Sequence, residues 1–349
     1  MGAGLVNAAC AYVRPIPDAP LAADTAHPAP FAQQWLVRVN QGFLGPMLLR
    51  GDTLIGTGYD RRLVAVDLVR GKKAWENRLN GGASAGVAGL GDTIYAASDR
   101  PDGSVEAFHR SNGYDVWRRR HTGRIALPLL LADTFIVAAP RTGNVMALDR
   151  ASGRGRWVHR MAAATEAPVA GRPGEIVVAT DDSLYRLHLS DGKLVAAVRA
   201  PGAASAPWVQ VDSTLLLPTG TGDLAAIRVA DLGVEWRVHF DGPILVAPTV
   251  VNDTAWIVTQ AGGVYRVPIL HPAAERYATL PDPASAPPVP WRGWLLVGMA
   301  DGTLRALGPD GHEAWRVAVG RPVVQPPIVL PDGLLIVGGR GDLHRMVAR

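Results

Sequence analysis

The stretch VMALDRASGRGRW, residues 145–157, decides the fold. It reads as an alternating apolar strand, a turn built around Gly153, and a closing Trp157. Two upstream tracts have the same form, LVAVDLVRGKKAW at 63–75 and VEAFHRSNGYDVW at 105–117. Four downstream tracts keep the outline with weaker spelling: LYRLHLSDGKLVA (184–196), LAAIRVADLGVEW (224–236), VYRVPILHPAAER (264–276) and LRALGPDGHEAW (304–315). The tryptophan column falls at 35, 75, 117, 157, 196, 236, 276 and 315, spaced by 39 to 42 residues, with Ala196 and Arg276 standing in two of the eight places.

Between successive tryptophan positions lies a second pair of short apolar runs broken by a tight turn. Examples are LGPMLLRGDTLIGTG, LPLLLADTFIVAA, VAPTVVNDTAWIVTQ and PPIVLPDGLLIVGG. Val, Ile, Leu and Thr punctuated by Gly-Asp, Asn-Asp or Asp-Gly are hairpin signals, so each unit is four antiparallel strands. A four-stranded unit of about 40 residues buries its faces only against its neighbours, which is the unit of a propeller blade. The expected fold is therefore all-β, an eight-bladed β-propeller. The last unit supplies only three strands (324–349), and the first tryptophan-bearing strand (32–40) precedes any blade. That strand is expected to complete blade eight and so remove the open edges. Residues 1–31 then form an apolar N-terminus and Pro-rich tether, and 32–349 the propeller. A large aromatic at one fixed place per blade fits a residue filling the interface between blades. Ala196 and Arg276 accordingly predict two softer interfaces.

The 39 glycines and 28 prolines among 349 residues suit an all-β chain. The formal net charge of +4 gives no reason to expect nucleic acid. Its distribution is uneven: residues 1–160 hold 20 Lys and Arg against 13 Asp and Glu, and 161–349 hold 15 against 18. Cys10 is the only cysteine, so no intramolecular disulfide and no cysteine-based metal site can form. Two readings of residues 1–13 stand side by side. In one, LVNAAC ends a lipoprotein signal and Cys10 is the acylated residue, although Asn7 suits that motif poorly; in the other, the segment is an unprocessed, disordered or membrane-touching tail. Residues 14–30 contain five prolines and almost no large apolar side chain, and so read as an extended tether. At about 3 Å per residue it spans roughly 50 Å.

The sequence offers little chemistry. None of the nine histidines has metal-ligand spacing to another histidine or to a glutamate, and no Gly-rich strand-to-helix loop is present to cradle phosphate. Asp67 and Asp149 recur at one blade position, where an aspartate caps the following turn. Catalytic, cofactor and metal residues are all expected to be absent. Contact surfaces are easier to nominate. Trp291, with Arg292 beside it, is expected in an exposed turn of blade seven as an interface anchor, whereas Trp208 and Trp256 are expected in the core. Arg118, Arg119 and Arg120, followed by His121 and Arg124, form a basic run that suits an acidic partner or lipid head groups. Strand alternation sends Arg118 and Arg120 to one side and Arg119 to the other.

The pattern xxALDxxxGxxxW, best kept at Ala147, Leu148, Asp149, Gly153 and Trp157, resembles the PQQ-type propeller repeat. A chain of this size built only of such repeats resembles the BamB-type lipoprotein family of the outer-membrane barrel-assembly machinery. That resemblance implies a noncatalytic, extracytoplasmic scaffold on the periplasmic side, bound to subunits of a membrane complex and to the membrane surface through its N-terminus. An accessory subunit of a respiratory or photosynthetic complex is the alternative. A PQQ-dependent oxidoreductase is the third reading; such enzymes are much longer, and many set a disulfide of adjacent cysteines against the cofactor, which one cysteine cannot supply.

Overall fold

A computed structural model describes residues 13–15, 28–39, 42–58, 60–161 and 170–349. The described residues contain strands and turns, with eight antiparallel sheets and no helix. Seven sheets are four consecutive strands each; blade one, for example, runs Phe43–Arg50, Thr53–Gly58, Arg62–Asp67 and Lys72–Arg78. First strands of neighbouring blades contact one another, as Phe43–Arg50 does Val87–Leu90, which places them innermost and the tryptophan-bearing fourth strands outermost.

Burial follows from this stacking. A middle strand has a neighbouring blade on both faces, so Ser104–His109 is buried over its first five residues. An outer strand is covered on one face only, and Gly155–Arg160 and Val234–His239 alternate between half-buried and exposed. The core is accordingly a series of apolar seams between blades rather than one central mass.

Blade eight closes as expected. Phe31–Val39 pairs antiparallel with Asp342–Ala348, beyond which lie Gly333–Val337 and Ile328–Leu330. The tether reading needs one amendment, because Val13–Pro15 adds a fifth strand by pairing with Val37–Val39.

Four tryptophans of the column hold their seams together by two contacts each. The indole Nε1 donates to a backbone carbonyl of the next blade: Trp35 to Leu68 (3.2 Å), Trp75 to Arg110 (3.0 Å), Trp117 to Arg150 (3.1 Å) and Trp157 to Leu189 (2.7 Å). The ring lies flat beneath the next blade's turn glycine, where a Cβ on Gly153 would come within 2.5 Å of Trp117 and one on Gly192 within 2.4 Å of Trp157. These glycines also sit at positive φ, so two constraints select the residue. The preceding aspartate caps the same turn: Asp67 accepts from the amides of Val69 (2.9 Å) and Arg70 (3.0 Å). Asp149 does the same for Ser152, and hydrogen bonds from the Ser152 hydroxyl, Arg156 and the Ser152 amide hold its carboxyl well below the usual range.

The two substituted seams are not soft, which corrects the expectation drawn from Ala196 and Arg276. Opposite Ala196 the turn glycine is replaced by Leu232, which keeps the left-handed φ of 61° and is 2% exposed within the cluster that includes Ala196. A large side chain on the turn thus substitutes for one on the strand. At Arg276 the bulge of the outer strand shifts, so that Tyr265 faces Arg276 and Val264 faces Ala278. The residue left over is Tyr277, whose hydroxyl donates to the Gly308 carbonyl of the next blade as an indole does elsewhere. Arg276 itself turns to Asp241 (3.2 Å).

The first of these exchanges makes a testable pair. Leu232→Ala should cost about 2 to 4 kcal/mol in urea unfolding, since a buried leucine leaves a cavity that its neighbours fill only in part. Leu232→Gly combined with Ala196→Trp rebuilds the arrangement of the other blades and should recover most of that loss.

Candidate functional site

Two of the nominated contacts move once the register is known. Trp291 does not sit in a turn: Val289–Trp291 and Trp294–Gly298 are joined by Arg292 and Gly293, with Trp291 directly opposite Trp294. Both turn residues have positive φ, 48° and 83°, the pattern of a two-residue hairpin turn that matches strand twist. Trp291 is 8% exposed and packs on Phe31 of the closing strand, ring centres 5.4 Å apart, so its exposure as an anchor is overturned. Arg292 lies over the Trp291 ring at 4.8 Å and donates to the Pro331 carbonyl (3.2 Å). The pair belongs to the seam between blades seven and eight.

Within the run 118–120, Arg118 is committed to the fold. Its Nε donates to Glu106 Oε2 (2.9 Å), its cross-strand partner in Asp115–Arg120 against Ser104–His109. Glu106 is 1% exposed and also accepts from the Asn80 amide (3.0 Å) and the Ser104 hydroxyl (2.6 Å). A buried carboxylate needs such partners, so Arg118 compensates it.

Arg119 and Arg120 remain exposed, and among the described residues neither has an ion pair or a side-chain hydrogen bond. They line one groove of about 600 Å³ between blades two and three, with Arg100, Asp102, His121 and Thr122 along its polar wall. Its floor is Met146, Leu148 and Val158, and Val158 is 64% exposed, while the Trp157 ring turns the other way into the seam with blade four. Gly155 leaves room for Arg119, whose Nη2 lies 4.0 Å from where a Cβ would stand. Strand alternation does not separate Arg119 from Arg120, because the strand ends at Arg120 and both border the groove. His121 is 8% exposed with no hydrogen-bond partner at either ring nitrogen, and burial holds its pKa below the ordinary histidine value. The groove continues past Asn80 into a smaller one between blades one and two, lined by Arg61, Arg78, Leu79 and Arg118.

The groove's floor is not nominated by sequence reasoning, whereas His121 of its wall belongs to the basic run named there. The arginine run marks the place, but the floor comes from blade three, some 30 residues away in the repeat. Among the described residues no group of three or more His, Cys, Asp or Glu is placed to hold a metal ion. Cys10 lies outside the described residues.

A family model described as outer membrane protein assembly factor BamB matches residues 101–205. BamB of Bordetella pertussis is 24% identical over 344 residues, covering 88% of this chain and 85% of that protein. BamB of Yersinia pestis is 21% identical, covering 80% and 78%. Among solved structures, BamB from Moraxella catarrhalis superposes with a TM-score of 0.76 at 16% identity, covering 91% of this chain and 99% of that one. The computationally designed protein Ika8 superposes nearly as well, with a TM-score of 0.73 at 12% identity over 88% of this chain, so the likeness of shape speaks for the propeller alone. The repeats, the closed ring and the match in sequence along most of both chains lead to one conclusion: this chain is an eight-bladed β-propeller similar in sequence and in fold to outer membrane protein assembly factor BamB.

Proposed function

We propose that the chain is a noncatalytic, partner-binding subunit in outer-membrane protein assembly, held on the periplasmic side of the membrane. The observation that carries this reading is the likeness to BamB of Bordetella pertussis along 88% of the chain. The geometry agrees with it. A ring of blades whose interior is spent on seams presents loops and rims to partners, and here one rim carries unpaired guanidiniums. Membrane attachment through Cys10 belongs to the same proposal.

The test is purification of the native protein from membranes in mild detergent, with mass spectrometry of the co-purifying proteins and of the N-terminal peptide. Barrel-assembly components and a diacylated Cys10 are expected. Recovery with a respiratory or photosynthetic complex would replace this reading by that of an accessory subunit, and recovery alone, without lipid, would overturn both. Deleting the gene should also lower the amount of β-barrel proteins in the outer membrane.

A further inference from the structure

The arginines of this chain divide by blade. Each of the eight between residues 200 and 323 has a partner: Arg228 with Asp231 and Glu235, Arg237 with Asp223, Arg266 with Glu275, Arg276 with Asp241, Arg305 with Asp301 and Glu313, Arg321 with Asp342, Arg292 on Trp291, and Arg316 with Glu313. Blades one to four are different. One column, the last residue of the outer strand, shows why. It is Arg78, Arg120, Arg160 and Arg199 in blades one to four, and the cross-strand partners there are Arg62, Ser104, Asn144 and Ser183, none of them acidic. In blade five the same position is His239 opposite Asp223, bonded at 2.9 Å, and in blade eight Arg38 opposite Asp342. The compensating carboxylate is built into those blades and left out of the first four.

Arg119, Arg124 and Arg141 add to this arc, all exposed and without a side-chain partner among the described residues. Like charges left without a compensating partner add nothing to the stability of the fold, so this cluster does not serve it. Two of its members, Arg119 and Arg120, line the groove between blades two and three, whose floor is apolar and whose wall holds the unpartnered, nearly buried His121.

We propose that this arc is a docking site for an acidic segment of a partner protein. An extended peptide would set carboxylates against Arg119, Arg120 and their neighbours and an apolar side chain on Met146, Leu148 and Val158. An extended chain offers side chains every ~3.3 Å on alternating sides, which suits a groove with a charged rim and an apolar floor. A bilayer surface fits less well: it can meet the rim, but its apolar part remains within the membrane while this floor is recessed between blades. The proposal deepens the reading of the chain as a partner-binding subunit and rests on it, but its test needs only the purified protein.

The probes are three fluorescein-labelled dodecapeptides, one alternating Glu and Leu, one alternating Glu and Ser, and one alternating Lys and Leu, together with phosphatidylglycerol vesicles. The Glu-Leu peptide should bind, lose affinity several-fold when salt rises from 0.05 to 0.5 M, and bind at least tenfold more weakly to Arg119→Glu/Arg120→Glu. Both side chains are exposed, so thermal unfolding of the variant should match the wild type; Arg119→Gln/Arg120→Gln provides a milder version with the same expected direction. A control with the same change in charge on blade eight, Arg340→Glu/Arg349→Glu, should leave binding within twofold. The Glu-Ser peptide should bind more weakly than Glu-Leu, and the Lys-Leu peptide not at all. Equal binding of Glu-Leu to the wild type and the Arg119/Arg120 variants, or equal binding of Glu-Leu and Glu-Ser, would overturn the site as drawn. Vesicles that displace the peptide and lose binding to the same variants would assign the arc to the membrane instead. A failed peptide test beside intact co-purification with barrel-assembly components would remove this surface and leave the proposed function standing.

Discussion

A chain that begins at residue 41 is expected not to form a stable propeller, whereas one that begins at residue 28 should. The difference is the closing strand Phe31–Val39. Phe31, Leu36, Val37 and Val39 are at most 9% exposed, and Phe31, Val37 and Val39 belong to the two clusters on either side of blade eight. Burying an aliphatic or aromatic side chain of this size contributes about 1.5 to 3 kcal/mol, so four of them account for roughly 6 to 12 kcal/mol. Whole domains are stable by only about 5 to 15 kcal/mol. Removing the strand also leaves the edge of Asp342–Ala348 without its ladder partner, and an unpaired apolar edge aggregates. The shortened chain should therefore appear insoluble, or soluble with no cooperative urea transition. Adding a synthetic peptide of residues 28–40 during refolding should restore part of the transition. A cooperative, unshifted transition for the chain starting at 41 would mean that the ring closes without this strand.

The same strand shows how far the sequence could be read. Its tryptophan, Trp35, stands in register with the column at 75, 117 and 157, and the count of three strands in the last unit asked for a fourth; both signals are local and repeat, so the closure was legible. What escaped notice depended on single-residue shifts. Trp291 reads as a turn residue if the turn is placed one position early, and in a strand of period two that error exchanges a buried face for an exposed one. Tyr277 was hidden because a bulge moved by two residues, leaving the unlike Arg276 in the tryptophan column. Leu232 was invisible for another reason: nothing in a leucine announces a left-handed backbone, and only its place in the turn of blade five reveals that it fills the space left by Ala196.

The candidate site was legible in outline for the same kind of reason. Three consecutive arginines announce a basic patch, but they do not say which of them is already spent. Register does. Arg118 falls opposite Glu106, a buried carboxylate that must be neutralised, and the next two residues have no such partner. The groove floor could not be read, because Met146 and Leu148 belong to a different blade and carry the ordinary spelling of the repeat. The comparison of columns that separates the arginines of blades one to four from the histidine and ion pair of blades five and eight needs the strand pairing, although every residue in it is printed in the sequence.

The closure should also be the part of the molecule most sensitive to acid. His344 lies on Asp342–Ala348, directly opposite Leu36 of the closing strand, and is 3% exposed. Its Nδ1 is 3.0 Å from Gln33 Oε1, while Nε2 has no partner. Burial pushes its pKa down to about 4, with Asp342 opposing the shift and Arg38 adding to it. Arg38 and Asp342 form an ion pair on the same two strands, and Arg321 reaches Asp342 from blade seven at 3.5 Å, so the local field is nearly balanced and loss of solvent dominates. An unfolded histidine titrates near 6.5. Between pH 6.5 and 4 the unfolded chain therefore binds a proton that the folded chain refuses, and stability falls as the pH falls. The full shift corresponds to roughly 3 kcal/mol, present above pH 6.5 and lost by about pH 4. Urea midpoints measured at pH 7.5 and 4.5 should show most of that loss in the wild type. His344→Gln, which keeps an amide donor for Gln33 and cannot be charged, should lose distinctly less over the same interval, the remainder coming from His121, whose pKa is lowered by burial in the same direction. Equal losses in both proteins would show that the seam admits enough water to hydrate the imidazolium, and that closure of the ring does not depend on a neutral His344.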